Sequence, residues 1–242
     1  MKTRPYATAL PLLAVGLLTA ACGSSSSPSG GSSPIATPTP TPTQQTVAQV
    51  FTAMQAAVKT ATSVHMVGTA KDGSKTLTLD VSFQGGNTSG TFSEGGKAAT
   101  ILLIGNKSYI KIDDAFLKLA GVPLRAVVCA RLCGKYVLVP ASQAAGLGGS
   151  FDMAGLDSQF VNALPASFSN DTTDHFTPAT LNGQAVLKAT QGQDVIEVAA
   201  SGTPYPVFIS EAGQGSLTFS EWNAVAPIAP PPASKIISPG SL

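Results

Sequence analysis

Between Thr76 and Gln84 the chain reads Thr-Leu-Thr-Leu-Asp-Val-Ser-Phe-Gln, polar and apolar in unbroken alternation. A strand turns successive side chains to opposite faces, so Leu77, Leu79, Val81 and Phe83 share one side and Thr78, Asp80 and Ser82 share the other. One dry face and one wet face is the pattern of an antiparallel sheet. Turn signals surround this stretch at Asp72-Gly73, Gly85-Gly86-Asn87, Glu94-Gly95-Gly96 and Gly105-Asn106. They divide the region into a five-strand meander: Val64 to Ala70, Thr76 to Gln84, Thr88 to Ser93, Ala98 to Ile104, and Lys107 to Ile112. Ala99 to Ile104 is apolar on both faces, so its second side needs a cover, whether helix, partner or ligand.

Helical periods flank the meander. Thr46 and Gln49 form a capping box, and Val47, Val50, Phe51, Met54, Ala57, Val58 and Ala61 follow along one face. After the meander, Asp113 or Asp114 caps a short helix through Phe116, Leu117 and Leu119 that Gly121 ends, and Pro123 precedes a second run from Leu124 to Leu132. A strand from Tyr136 to Pro140 comes next. Ala141 to Asp174 either connects or gates a cavity, with a helix expected from Leu156 to Leu164 before Pro165. The last third is strand again, with Asn182-Gly183 the clearest hairpin signal, Thr203-Pro204-Tyr205-Pro206 interrupting the ladder, and a final strand from Ser216 to Trp222. A sheet this long curls, and apolar helices need a face to cover. The expected fold is α+β: a single curved antiparallel sheet, a half-barrel of about 10–11 strands, with helices packed on its concave face.

The N-terminus has the parts of an export signal. Lys2 and Arg4 form a basic head, Ala7 to Leu18 an apolar core, and Leu17-Leu18-Thr19-Ala20-Ala21 leads into Cys22. The apolar run is far short of the about 20 residues that span a bilayer. The stretch resembles the lipobox of bacterial lipoproteins, which implies that residues 1–21 are removed and that Cys22 carries lipid such as palmitate. Thr19 stands where that pattern prefers Leu, with Leu18 one place earlier. The alternative is ordinary secretion, with cleavage after Ala20 or Ala21 and Cys22 left as a free thiol. Residues 22–45 then read as a Ser/Gly and Thr-Pro tether, residues 46–226 as the domain, and residues 227–242 as a disordered Pro-rich tail. The expected location is the extracytoplasmic face of the bacterial cell membrane, with the chain held there by its lipid anchor.

That location bears on the other two cysteines. Outside the cytoplasm Cys129 and Cys133 favour a disulfide over a thiol pair, and one helical turn brings their Cα atoms to about 6 Å, within the permitted range. Their spacing is not C-x-x-C and no histidine is near in sequence, which argues against zinc or redox chemistry.

Composition narrows the function. Net charge is +1 and only 11% of residues are charged; the three arginines, Arg4, Arg125 and Arg131, make no basic face for nucleic acid. The two histidines, His65 and His175, open strands far apart in sequence, and no G-x-S-x-G elbow is present. Ser108-Tyr109-Ile110-Lys111 matches S-x-x-K, but positions three apart on a strand point to opposite faces. No catalytic residue, metal site or cofactor is expected, and the chain does not read as an enzyme.

The order of elements resembles the LolA/LolB-like lipoprotein carriers, in particular the LppX/LprG type of envelope lipoprotein. The resemblance rests on the leading helix ending near Ala61-Thr62-Ser63-Val64-His65-Met66, the Gly85-Gly86 and Glu94-Gly95-Gly96 turns, Tyr109-Ile110-Lys111 followed by Phe116, and Lys135-Tyr136-Val137 before Pro140. It implies a monomer that binds an acyl lipid or glycolipid in an apolar cavity, without chemistry, and that has an envelope transport partner. On this reading Leu77, Leu79, Val81, Phe83, Ile101 and Leu103 line the cavity against Val50, Phe51, Met54 and Val58. The competing reading is an anchored scaffold domain, in which the same residues make a filled core and another surface binds an envelope protein.

Overall fold

The computed structural model describes residues 45–139, 153–156, 168 and 174–237. Cys22, the export signal, the tether up to residue 44, Pro140, most of the 141–174 segment and residues 238–242 lie outside the described residues. Thr43–Leu242 forms one compact unit, and every buried apolar side chain described lies within it. The domain therefore carries its own core.

The chain enters through α1 (Val47–Thr60), whose capping box is formed as the sequence implies. Thr46 Oγ1 accepts from the Gln49 N–H at 3.3 Å, and Gln49 Oε1 accepts from the Thr46 N–H at 3.0 Å. A meander follows: β1 (Ser63–Asp72), β2 (Lys75–Gln84), β3 (Asn87–Glu94), β4 (Lys97–Ile104) and β5 (Lys107–Lys111). Then come α2 (Asp114–Leu119), α3 (Arg125–Leu132) and β6 (Tyr136–Val139). The second meander is β7 (Thr177–Leu181), β8 (Gln184–Gln191), β9 (Asp194–Ala199), β10 (Pro206–Glu211) and β11 (Gly215–Ser220). Asn182 and Gly183 both take positive φ, 49° and 84°, as a tight hairpin between β7 and β8 requires. A 3-10 turn (Ala233–Lys235) and β12 (Ile236–Ile237) close the described chain.

All strands among the described residues join one open, curved sheet in the order β12-β6-β5-β4-β3-β2-β1-β11-β10-β9-β8-β7. Every pair is antiparallel except β12 with β6, which is parallel. The α+β half-barrel is thus observed, with 12 strands rather than 10–11. The extra strand comes from the C-terminus, which corrects the expectation of a disordered tail for residues 227–237. Gln84 holds that segment from both ends of its amide: its Nε2 donates to the Val225 carbonyl at 3.1 Å, and its Oε1 accepts from the Ile228 N–H at 2.9 Å. Asn87 donates to the Ile228 carbonyl at 3.4 Å, and β12 then pairs beside Tyr136 and Val137. Trp222, expected within the last strand, lies in the turn after it and donates from Nε1 to the Pro206 carbonyl at 2.9 Å. Met153–Leu156 is helical, so helix begins before the expected Leu156 start.

Within the sheet described, the two meanders are joined by the pairing of β1 with β11, from His65 opposite Ser220 to Ala70 opposite Gly215. Glycine makes this approach possible. A Cβ on Gly68 would collide with the Ser216 carbonyl oxygen and the Leu217 Cα, and one on Gly215 with the Thr69 carbonyl. Gly68→Ala is therefore expected to destabilise the domain by about 1–3 kcal/mol in urea unfolding, whereas Gly86→Ala, whose Cβ would meet nothing within 4 Å, leaves the midpoint unchanged.

Candidate functional site

The inner face of the sheet is the one that α1 covers. Val81 stands opposite Met66 and Gly90, and Phe83 opposite Val64 and Thr88. Continuing across the first meander, Ile101 is opposite Gly90 and Ile110, Leu103 is opposite Thr88 and Ser108, and Ile110 is opposite Val137. Cross-strand partners share a face, so these rows form one apolar surface. On the inner rows of β2 to β5, charge appears only at the turn end, in Lys75, Glu94 and Lys97. Lys75 and Glu94 pair at 2.9 Å there, in the open.

The surface has two halves. Under α1, Val47, Val50, Phe51, Met54 and Val58 join Val64, Met66, Leu79, Val81, Phe83, Ala189, Ile196, Val198 and Phe219 in one buried cluster. Met153, Leu156, Phe168 and Phe176 complete it from the segment between the meanders. Seven of the residues singled out in the sequence therefore sit together in packed core: Val50, Phe51, Met54, Val58, Leu79, Val81 and Phe83. Leu77 packs against its edge. Ile101 and Leu103 stand on the same sheet face but outside the cluster. Beside them Ala99, Ile110 and Val137 are half-buried, as is Ile101, and Phe92 bridges back to the core. This second half, β3 to β6, is where apolar inner surface remains partly open. Phe92, Ile110 and Val137 were not singled out, although strand alternation already places them on this face.

The outer face behaves differently in its two regions. Leu102 and Tyr109 are opposite one another on it and are buried. Gln84 and Asn87, on the same face, fasten the C-terminal segment as it runs from β2 toward β6, and Pro231 of that segment is buried. The chain's own tail thus lies on the outer face, and α2 packs on β4.

Farther along, the outer face is polar. His65 Nε2 lies 2.8 Å from Asp80 Oδ1, and Ser220 Oγ lies 3.3 Å from His65 Nδ1. Serine, histidine and aspartate in series are the parts of a nucleophilic relay. Here, however, the row lies across three strands of a face open to water, with Asp80 and Ser220 both exposed. It lacks the water-excluded enclosure on which such catalysis depends. The histidine is held as a cross-strand hydrogen-bonding residue. His175 plays a similar part at the start of α1, with Nδ1 3.2 Å from the Gln45 carbonyl and Thr46 bridged to it. Among the described residues no group of three His, Cys, Asp or Glu side chains is placed to hold a metal. No helix among them is long and apolar enough to cross a membrane.

Cys129 and Cys133 form a disulfide, their Cα atoms 4.6 Å apart. Cys133 leaves α3 with extended backbone, ψ 141°. Lys188 reaches the buried Glu197 at 3.6 Å, leaving Glu197 Oε2 without a hydrogen bond.

With this geometry established, the chain can be set beside known proteins. No protein-family model matches the sequence, and no curated protein is significantly similar to it. Among solved structures it is similar to LprF from Mycobacterium bovis, at 19% identity and a TM-score of 0.49, over 76% of this chain and 96% of that one. It is also similar to the Mycobacterium tuberculosis lipoprotein LppX, at 15% identity and a TM-score of 0.44, over 76% of this chain and 98% of that one. The likeness is one of fold.

The division of the inner face has a measurable consequence. Met54→Ala, at a fully buried position, should cost about 2–5 kcal/mol in urea unfolding, while Ile101→Ala, half-buried outside the cluster, should cost about 1 kcal/mol. Equal costs would mean that the two halves are packed alike.

Proposed function

We propose that this chain is an envelope lipoprotein, anchored through Cys22 on the extracytoplasmic face of the membrane, that holds an acylated lipid or other hydrophobic ligand and carries or presents it without chemical change. The observation that supports this best is the half-buried apolar row Ile101–Ile110–Val137, on an inner face whose charges are confined to the turn end. An acyl chain laid along it would be stabilised by burial alone, about 0.8 kcal/mol per methylene removed from water. Phe92 and Ala99 extend the same surface, and Leu103 on the same face is buried.

A second reading has its own support. The tight cluster beneath α1 is what an anchored scaffold domain with a filled core would have, its partner being another envelope protein.

One experiment separates the two. The domain 43–242 is titrated with a fluorescent fatty acid, and Ile101→Glu and Ile110→Glu are compared with it. Saturable binding that weakens at least about tenfold in either variant, with unfolding midpoints still measurable, is the expected result. Absence of binding, or binding indifferent to both changes, favours the scaffold. In parallel, full-length chain expressed in a bacterial host should incorporate labelled palmitate, and Cys22→Ser should not.

A further inference from the structure

Large exposed apolar side chains are few in the described domain: Val67, Leu119, Leu124 and Val127. Three of these four fall within nine consecutive residues, at the end of α2 and the start of α3. Leu124 is 78% exposed and Val127 60% exposed, against 39% for the isolated Val67 on the outer sheet face. A helix brings positions four apart to one side, so Val127 and Arg131 form a stripe along α3, and Leu124 is the exposed residue immediately before it. The opposite side of α3 carries Val128, Cys129, Leu132 and Cys133, all half-buried, and the Cys129–Cys133 disulfide staples it. α3 has no fully buried residue, and a helix of eight residues is marginal without packing. The staple is what the exposed side lacks.

Two further features mark this stripe. Leu124 holds a left-handed backbone, φ 52° and ψ 39°, with no side-chain cap on the helix it begins. That conformation is costly for a residue with a Cβ, and such strain gathers at functional positions. Charge is also concentrated here. The domain's two arginines, Arg125 and Arg131, are both on α3, and from Asp113 to Lys135 four cations (Lys118, Arg125, Arg131, Lys135) face two carboxylates, Asp113 and Asp114. Asp113 is engaged in capping α2, and Asp114 pairs with Arg125 at 3.3 Å. The remainder of the chain is then net negative, since the whole carries only +1.

We infer that the Leu119–Leu124–Val127 patch with Arg125 and Arg131 is a membrane-docking tip that seats on a bilayer surface bearing anionic phosphate headgroups. Apolar side chains enter the acyl boundary while arginines remain with the phosphates, the division expected of an interfacial helix. Arginine suits this task because its planar fork pairs with phosphate oxygens. The contact is separate from any anchor at Cys22. It would orient the domain on the membrane that the anchor only tethers.

The test uses the domain 43–242, which carries its own core and lacks the segment containing Cys22. It is sedimented with phosphatidylcholine vesicles, with and without about one-third phosphatidylglycerol. Binding should require the anionic lipid and weaken as salt rises. Leu124→Ser with Val127→Ser should lower the partition coefficient at least about tenfold, and Arg125→Gln with Arg131→Gln about fivefold per charge. Val67→Ser should change nothing. These positions are exposed, so unchanged thermal unfolding confirms that each variant folds. Failure to sediment with anionic vesicles overturns the inference, as does binding that survives the Leu124/Val127 change. Concentration-dependent self-association abolished by that change, with no vesicle binding, would reassign the patch to contact between copies of the chain.

Discussion

The pairing of β1 with β11 holds the structure together. Each meander is built from local hairpins with short loops, and each could be assembled from nearby residues alone. The seam between them joins His65 to Ser220 and Gly68 to Leu217. Contacts at such sequence separation bear the cost of loop closure before they return any stabilisation, so the seam should form late. What makes it worthwhile is α1. Its apolar side meets residues from both meanders in one cluster: Leu79 and Val81 from the first, Ile196 and Val198 from the second. The hydrogen bond from the Val47 N–H to the Asp174 carbonyl at 3.0 Å ties the start of the helix to the entry of the second meander. Asn223 secures the other end, accepting from the Thr62 N–H at 2.7 Å and donating to Tyr205 Oη at 2.7 Å.

Much of this was legible in the sequence because strand alternation and turn glycines are strong local signals. The alternation from Thr76 to Gln84 defines β2 and its faces, and the glycine-bearing turns fix the meander within a residue or two. The capping box at Thr46 and Gln49 is present atom for atom. The C-terminal segment was not legible. Its order comes from amide side chains on Gln84 and Asn87 and from the short pairing of Ile236 and Ile237, and neither leaves a period in a proline-rich stretch. Nor could alternation show how far α1 reaches. It places Ile101 on the same face as Val81, but which of the two is enclosed depends on the path of the helix over the sheet, a tertiary property.

The resulting surface is economical in its apolar exposure. The outer face carries the chain's own tail, α2 packs on β4, and the face beneath α1 is closed by close packing. What remains is a half-buried inner row over β4 to β6 and an exposed stripe on α3, both in the first meander and its helical extension. The proposed carriage of an acyl lipid would use both, one to hold the acyl chain and one to meet a membrane. The serine–histidine–aspartate row described lies on an open polar face away from both.

The most direct test is native mass spectrometry, with lipid extraction, of the domain purified from its natural type of host. The account predicts a reproducible added mass that extraction identifies as an acyl lipid and that Ile101→Glu removes without unfolding the protein. A clean unliganded mass, together with no uptake of offered acyl lipids, would contradict it.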